Sequence, residues 1–396
     1  MTTRVRVGFA GCGEVCAEKH LPALREVEEI EVVAVADANP ARVEYVEERF
    51  AIPHCYYDVA SLLAEGGLDA VALCLPPGRQ IDAAIAALDA GLHVWIDPPT
   101  GLTLADCDRL MAHAANSDRS VIVGFHMRWH RLVAQARELV RSGQLGTVRT
   151  LRGIWSSPRQ ADRIRGWRRY RAEGGGALGE PAIDHFDLWR HILGSEIATI
   201  SAYSVDDEWE DASAVIAGRM ENGVLVSATF SERASHDVEL EICGDAGRLR
   251  VSLVRFEGLE HFPAGTMASD PRHRLKRFGH FVAELPRALP RMHKSGDYRT
   301  SYRDQWRHFA DCVAHGVPVQ STLEDGRRAT AAMVAAMVAA RSGEVVRCAP
   351  VLSERPEMKF SVGERRDTQQ KQHYGDDERV GDGKSRLRVD EPFLRQ

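Results

Sequence analysis

The stretch from Val5 to Asp37 constrains this chain more than any other. Val5-Arg6-Val7-Gly8-Phe9-Ala10 is a short apolar run, Gly11-Cys12-Gly13-Glu14-Val15-Cys16 is a glycine turn, and Ala17 to Val27 reads as a helix. A second apolar run, Glu31 to Ala36, ends in Asp37. Strand, glycine turn, helix, strand and acid, in that order, are the parts of a dinucleotide-binding unit. Gly11 suits the tight turn, and Gly13 lets the backbone approach a pyrophosphate at the positive end of the helix dipole. Glu14 and Val15 continue that turn, and Asp37 stands where an acid accepts hydrogen bonds from a ribose. Cys16 takes the place of the third glycine.

At 396 residues the chain is long enough for two domains. Its net charge of −6 argues against nucleic acid as a partner. No run of about 18 uncharged apolar residues is present, so no membrane span is expected. The short first strand does not read as a signal peptide. The eight cysteines are scattered without a CxxC pair, which argues against a disulfide framework or a structural zinc and for a reduced, cytoplasmic setting.

Strands and helices go on alternating after Asp37. Ala41–Phe50, Val59–Glu65, Ile81–Ala90 and Thr103–Ser117 read as helices, and Leu68–Leu75, His93–Ile96 and Ser120–Phe125 as strands. Alternation at this spacing implies a doubly wound parallel sheet, whose ligands bind at the carboxyl ends of the strands. Pro76, Asp97 and His126 should join Gly11 and Asp37 at that edge. After about residue 128 the pattern changes to mostly antiparallel strands: 148–155, 197–205, 212–220, 224–232, 238–244 and 248–254. A helix with Pro181 in its first turn and Gly194 at its end interrupts them, and late helices are expected over 301–315 and 330–342. The expectation is an α/β chain with a nucleotide-binding Rossmann domain over 1–127, a second α/β domain with an open sheet over 128–352, and a charged, disordered tail over 353–396. A basic run at Arg272, Arg274, Lys276, Arg277, Arg287, Arg291 and Lys294 reads as a solvated face, with a basic lid or oligomer contact as the sharper alternative.

These motifs resemble those of the Gfo/Idh/MocA oxidoreductases. The likeness rests on Gly8-Phe9-Ala10-Gly11-Cys12-Gly13 with His20-Leu21-Pro22-Ala23-Leu24, on Leu75-Pro76-Pro77 and Ala87 to Val94, on Ser142 to Gly146, and on Trp167-Arg168 with Gly174-Gly175-Gly176. The resemblance implies a Rossmann domain, a second domain whose sheet often mediates homo-oligomers, and hydride transfer between NAD(P) and sugars, polyols or their derivatives. Two departures fall at the chemistry. The family's Glu-Lys-Pro is Asp97-Pro98-Pro99 here, and its acid and histidine four residues apart are Glu180 and Asp184.

Oxidation of a secondary alcohol needs a base for the hydroxyl proton. With Pro98 in the lysine's place, Glu180 and Asp184 are the candidates: four apart on a helix they share a face, and their repulsion should raise one pKa. A shared proton would let one act as base. His185 lies one step of about 100° further round the helix and is the next candidate. Arg168, with Trp167 beside it, is expected to meet substrate oxygens, and His126 to line the pocket. Asp187 and His191 extend the stripe of the helix; a metal there is a minor alternative, with Asp187 orienting a neighbour and His191 exposed. Asp37 would repel a 2′-phosphate, which favours NAD over NADP. A second class of function stays open: a diverged relative that keeps NAD for non-redox chemistry or sensing.

Overall fold

Strands buried on both faces carry no alternation, and the first half of the chain shows this directly. β1 (Val5–Ala10), β2 (Ile30–Ala36), β3 (His54–Tyr56), β4 (Ala70–Leu73), β5 (His93–Ile96) and β6 (Val121–Val123) form a six-stranded sheet in the order β3-β2-β1-β4-β5-β6. Every neighbouring pair in it is parallel. The computed structural model describes residues 4–159, 164, 166–255, 257–266 and 296–348, with scattered positions between 270 and 286. The expected tail, and most of the basic run, lie outside the described residues.

Helices cover the sheet: α1 (Leu21–Leu24), α2 (Pro40–Phe50), α3 (Val59–Leu63), α4 (Pro77–Asp89) and α5 (Leu104–Ala114). Asn39, Asp58 and Thr103 cap α2, α3 and α5 through their side-chain oxygens. The first helix departs from expectation. Cys16–His20 is a π-helical turn, closed by the Leu21 N–H on the Cys16 carbonyl, and only Leu21–Leu24 is α-helical. Pro22 is the cause: it has no N–H to donate and its ring crowds the carbonyl four residues back, so the chain widens its turn ahead of it.

The second half adds α6 (Arg131–Arg141), α7 (Gly176–Gly179), α8 (Pro181–Leu193), α9 (Gly296–His315) and α10 (Leu323–Ser342) to an eight-stranded sheet. Its strands are β7 (Val148–Ser156), β8 (Ile197–Val205), β9 (Ser213–Met220), β10 (Leu225–Ser231), β11 (Asp237–Gly244), β12 (Gly247–Ser252), β13 (Leu259–Pro263) and β14 (Val346–Arg347), in the order β13-β12-β11-β7-β10-β9-β8-β14. The pairs are antiparallel except β7 with β10, which runs parallel. Strands β9 and β10 alternate strictly enough to bury one face and leave the other open. α10 begins at Leu323, seven residues ahead of expectation, because Thr322 and Asp325 form a capping box.

The last helices return to the first sheet. Trp306 of α9 stacks on Trp95 of β5 at 3.9 Å, and Phe309 joins the same cluster with Phe9. A buried charge network fixes α8 against α10. Arg128 donates to Asp187 (2.7 Å) and to the Gln320 carbonyl (2.7 Å), and lies 3.0 Å from Asp325. Arg190 meets Asp325 at 3.1 Å and Glu196 at 2.5 Å. Asp187 is 1% exposed. Removing one partner of such a pair leaves an uncompensated buried charge. Arg128→Met should therefore cost about 3–5 kcal/mol of unfolding free energy, measured by urea titration, and Asp187→Asn should cost less.

Candidate active site

The glycine turn is shaped as a phosphate cradle. Gly11 takes φ +99°, and a Cβ there would lie 2.3 Å from the Cys74 carbonyl oxygen, so only glycine passes between β1 and β4. A Cβ on Gly13 would meet nothing within 4 Å: the backbone there faces open space. Glu14 is exposed and Val15 stands just ahead of the π turn. Cys16 is wholly buried in the core, so the third position of the motif serves packing. Asp37 is held in place, with Oδ2 accepting from the Cys12 N–H (2.9 Å) and Oδ1 from the Asn39 N–H (2.8 Å). Each oxygen keeps a lone pair for a ribose hydroxyl. Arg42 stands 3.7 Å from the same carboxylate. The residues present fit a dinucleotide.

Two further strand ends complete the edge. Pro76 precedes α4, which starts at Pro77. The buried amide of Gln80 donates to the carbonyls of Asp97 and Pro99, both at 2.8 Å, and pins the Asp97-Pro98-Pro99 turn from below. Asp97 Oδ1 faces Nε2 of His20 at 3.4 Å.

Glu180 is the N-cap of α8 and Asp184 lies in its first turn, and their environments separate them. Gly175 admits the Trp167–Arg168 backbone so closely that a Cβ would sit 2.4 Å from the Arg168 carbonyl oxygen. That approach brings Arg168 onto Glu180, 3.0 Å away, while Arg159 donates to the other Glu180 oxygen at 2.8 Å. Burial opposes the Glu180 charge, yet the two guanidinium groups hold its pKa at about 2. Asp184 has no such partner. Its Oδ1 is buried without a hydrogen bond among the described residues. Burial first, then the charges of Asp97, Asp187 and Glu180, push its pKa well above the usual carboxylate range. The rise expected of one carboxyl falls on Asp184, and the expected sharing of a proton is corrected: Glu180 stays ionised.

Arg168 is likewise committed. It bridges Glu180 and Glu14 (2.9 Å) and lies over the Trp167 ring at 5.5 Å, which ties the second half of the chain to the glycine turn. His185 is a correction. Its ring faces the second sheet, edge-on to Phe230 at 5.0 Å and against Gly153, with Nδ1 3.3 Å from the Pro181 carbonyl oxygen. Burial lowers its pKa to about 4. The step of about 100° from Asp184 turns it out of the pocket. His191 is half-buried rather than exposed, and burial lowers its pKa to about 3. Asp187 serves the Arg128 network, and no metal-binding group of side chains occurs among the described residues.

His126 is buried against α9. It stacks on Tyr302 (4.0 Å, 17°) and meets the edge of Tyr298 (5.0 Å), and its Nε2 has no partner among the described residues. Burial, then His20, His130 and Lys19, hold its pKa well below the ordinary value, so it is neutral. Tyr298 is pushed up to about 12, by burial against its contact with Tyr302, with the carboxylates of Asp184 and Asp97 adding to the rise. Lys19 lies 5.2 Å over its ring. His20, Lys19, Tyr298 and Tyr302 were not foreseen. His20 alone carried a signal, its place in the His-Leu-Pro stretch after the glycine turn.

Comparisons with known proteins agree with this geometry. The family model described as oxidoreductase family, NAD-binding Rossmann fold, matches residues 5–125. The Gfo/Idh/MocA C-terminal domain matches 133–250. Myo-inositol 2-dehydrogenase of Thermotoga maritima is 27% identical, with 82% of this chain and 93% of that protein covered. A dTDP-3,4-didehydro-2,6-dideoxy-alpha-D-glucose 3-reductase of Saccharopolyspora spinosa is 29% identical over 63% of this chain and 75% of that one. Among solved structures, the WlbA dehydrogenase of Bordetella pertussis in complex with NADH and UDP-GlcNAcA superposes with a TM-score of 0.73 at 20% identity, covering 89% of this chain and 99% of that one. The two family models fall on the two sheets and together span more than half of the chain, which belongs to the Gfo/Idh/MocA oxidoreductases.

Proposed function

We propose that this chain transfers hydride between NAD(H) and a secondary alcohol or ketone of a sugar, polyol or nucleotide-sugar substrate, with Asp184 exchanging the proton. The observation that carries this reading is the Asp184 carboxyl, whose buried Oδ1 has no hydrogen-bond partner among the described residues. Bound NAD(H) supplies the hydride acceptor or donor. Asp37 would hold the ribose, and the turn from Gly11 to Val15 the pyrophosphate. The raised pKa of Asp184 favours the protonated form, which hands a proton to a carbonyl oxygen in reduction; in oxidation the ionised form takes it from the hydroxyl. Glu180 holds Arg159 and Arg168 in place, and Arg168 and His126 line the substrate side with Trp167. The inositol and dTDP-sugar relatives support a polyhydroxylated substrate.

The open face of the second sheet exposes Tyr203 (71%), Val205 (67%), Val215 (51%) and Leu225 (55%). Apolar area of this kind suits pairing with a second copy. Eight free cysteines suit a reduced cytoplasm, and no described helix is long and apolar enough to cross a membrane.

Asp184→Asn should lower kcat by about 10²–10⁴ while leaving NADH affinity nearly intact, read from NADH absorbance and calorimetry. Full turnover in that variant would end the assignment. The same substitution separates catalysis from stability. A carboxyl whose folded pKa exceeds its unfolded value of about 3.9 takes stability away as pH rises from there to the raised value. The melting temperature of the unsubstituted protein should fall over that window, and that of Asp184→Asn should fall less. Asp37→Ala should weaken NADH binding about tenfold or more by calorimetry, as loss of a charged hydrogen-bonding group does. Light scattering at micromolar concentration should give a dimer or larger assembly, and a strict monomer would refute the pairing.

A further inference from the structure

One buried imidazole is gripped from opposite ends by two parts of the chain. His20 is fully buried on the π turn, and the indole N–H of Trp306 lies 3.1 Å from its Nδ1. An indole nitrogen only donates, so Nδ1 offers its lone pair and a neutral His20 carries its proton on Nε2. That nitrogen faces Asp97 Oδ1 at 3.4 Å and completes no hydrogen bond among the described residues. We propose that His20 is a positioning residue for the proton-transfer site: Trp306 fixes it as the Nε2–H tautomer, and that N–H holds the Asp97 carboxylate at the edge of the pocket.

The surroundings leave the ring one orientation. Trp95, Tyr302 and Trp306 meet it nearly perpendicular, at 81°, 82° and 85°. A flipped ring would turn a C–H to the indole donor and strand that N–H in the core. A histidine kept only to fill space would not need its second nitrogen aimed at a carboxylate on a ligand-binding strand end. The 3.4 Å separation exceeds a formed N–H···O bond; contacts in active sites are often this long before ligands close the site. The consequence reaches Asp184. Asp97 is, after burial, the largest cause of the raised pKa of Asp184, so a fixed Asp97 charge favours the protonated acid. This last link rests on the reading of Asp184 as the proton donor; the tautomer of His20 does not.

The test uses the full chain. Histidine labelled with ¹³C and ¹⁵N is incorporated, and the His20 signals, identified by their loss in His20→Asn, report the tautomer through the ring carbon shifts. The expected state is Nε2–H, with Trp306→Phe, which keeps an aromatic ring on Trp95 but no N–H, mixing the two tautomers. Kinetics supply the second arm. Glutamine places its amide near the position of Nε2, and asparagine near that of Nδ1. His20→Gln should retain about tenfold or more of the kcat that His20→Asn loses, because only the former can donate to Asp97. An Nδ1–H or doubly protonated ring overturns the proposal, and so does a His20→Asn enzyme as active as His20→Gln. The wild-type spectrum needs no substrate, so a protein with no turnover on any candidate sugar would refute the functional reading while the tautomer is still decided.

Discussion

Helix α8 is held by the charge it buries, and the site follows from where that helix is held. Asp187 is shut away from water, and a carboxylate there persists only because Arg128 reaches it from the turn after β6 while Arg190 closes its other side. The same arginines reach Asp325 at the start of α10, so one network fixes α8 to both neighbouring segments. Asp184 lies one turn away from Asp187 on α8. Its place relative to the first sheet is therefore set by a network that takes no part in the chemistry.

The electrostatics near the pocket are arranged by exclusion. Glu232, Arg159, Glu180, Arg168 and Glu14 alternate in sign from the second sheet to the glycine turn, each pair within 3.2 Å. Glu232 also accepts from the Trp209 indole, and burial raises its pKa to about 7 despite Arg159. Arg159 and Arg168 are spent on Glu180, and no arginine pairs with Asp184 among the described residues. Asp184, without one, bears the repulsion of its neighbours. The pKa values of two carboxyls four residues apart are thus pushed in opposite directions, because loops deliver cations to one of them only.

What the sequence made legible was periodic or local. The parallel sheet was readable because its strands are mostly apolar without alternation, and α8 because Pro181 and Gly194 mark its ends. Gly11 and Asp37 belong to one short motif. The locked state of Glu180 was not legible, since Arg159 and Arg168 come from a segment with no regular pattern. Nor was the Trp306–His20 contact, which joins single residues far apart in the chain. The early start of α10 could have been read from Thr322-Leu323-Glu324-Asp325, a capping-box pattern that the alanine-rich run after it obscured. The π turn follows from Pro22, a single residue inside a run whose composition is otherwise uniformly helical.

The return of α9 to the first sheet has a consequence for the order in which the molecule is made. His20 and Trp306 are 286 residues apart. A chain that leaves the ribosome amino end first exposes Phe9, His20 and Trp95 long before Trp306 and Phe309 exist to cover them. Closing so wide a loop is slow, and apolar surface left open meanwhile is prone to association. The first sheet of this protein is synthesised well ahead of the helix that completes its core, so its nascent form leaves apolar surface open until α9 arrives.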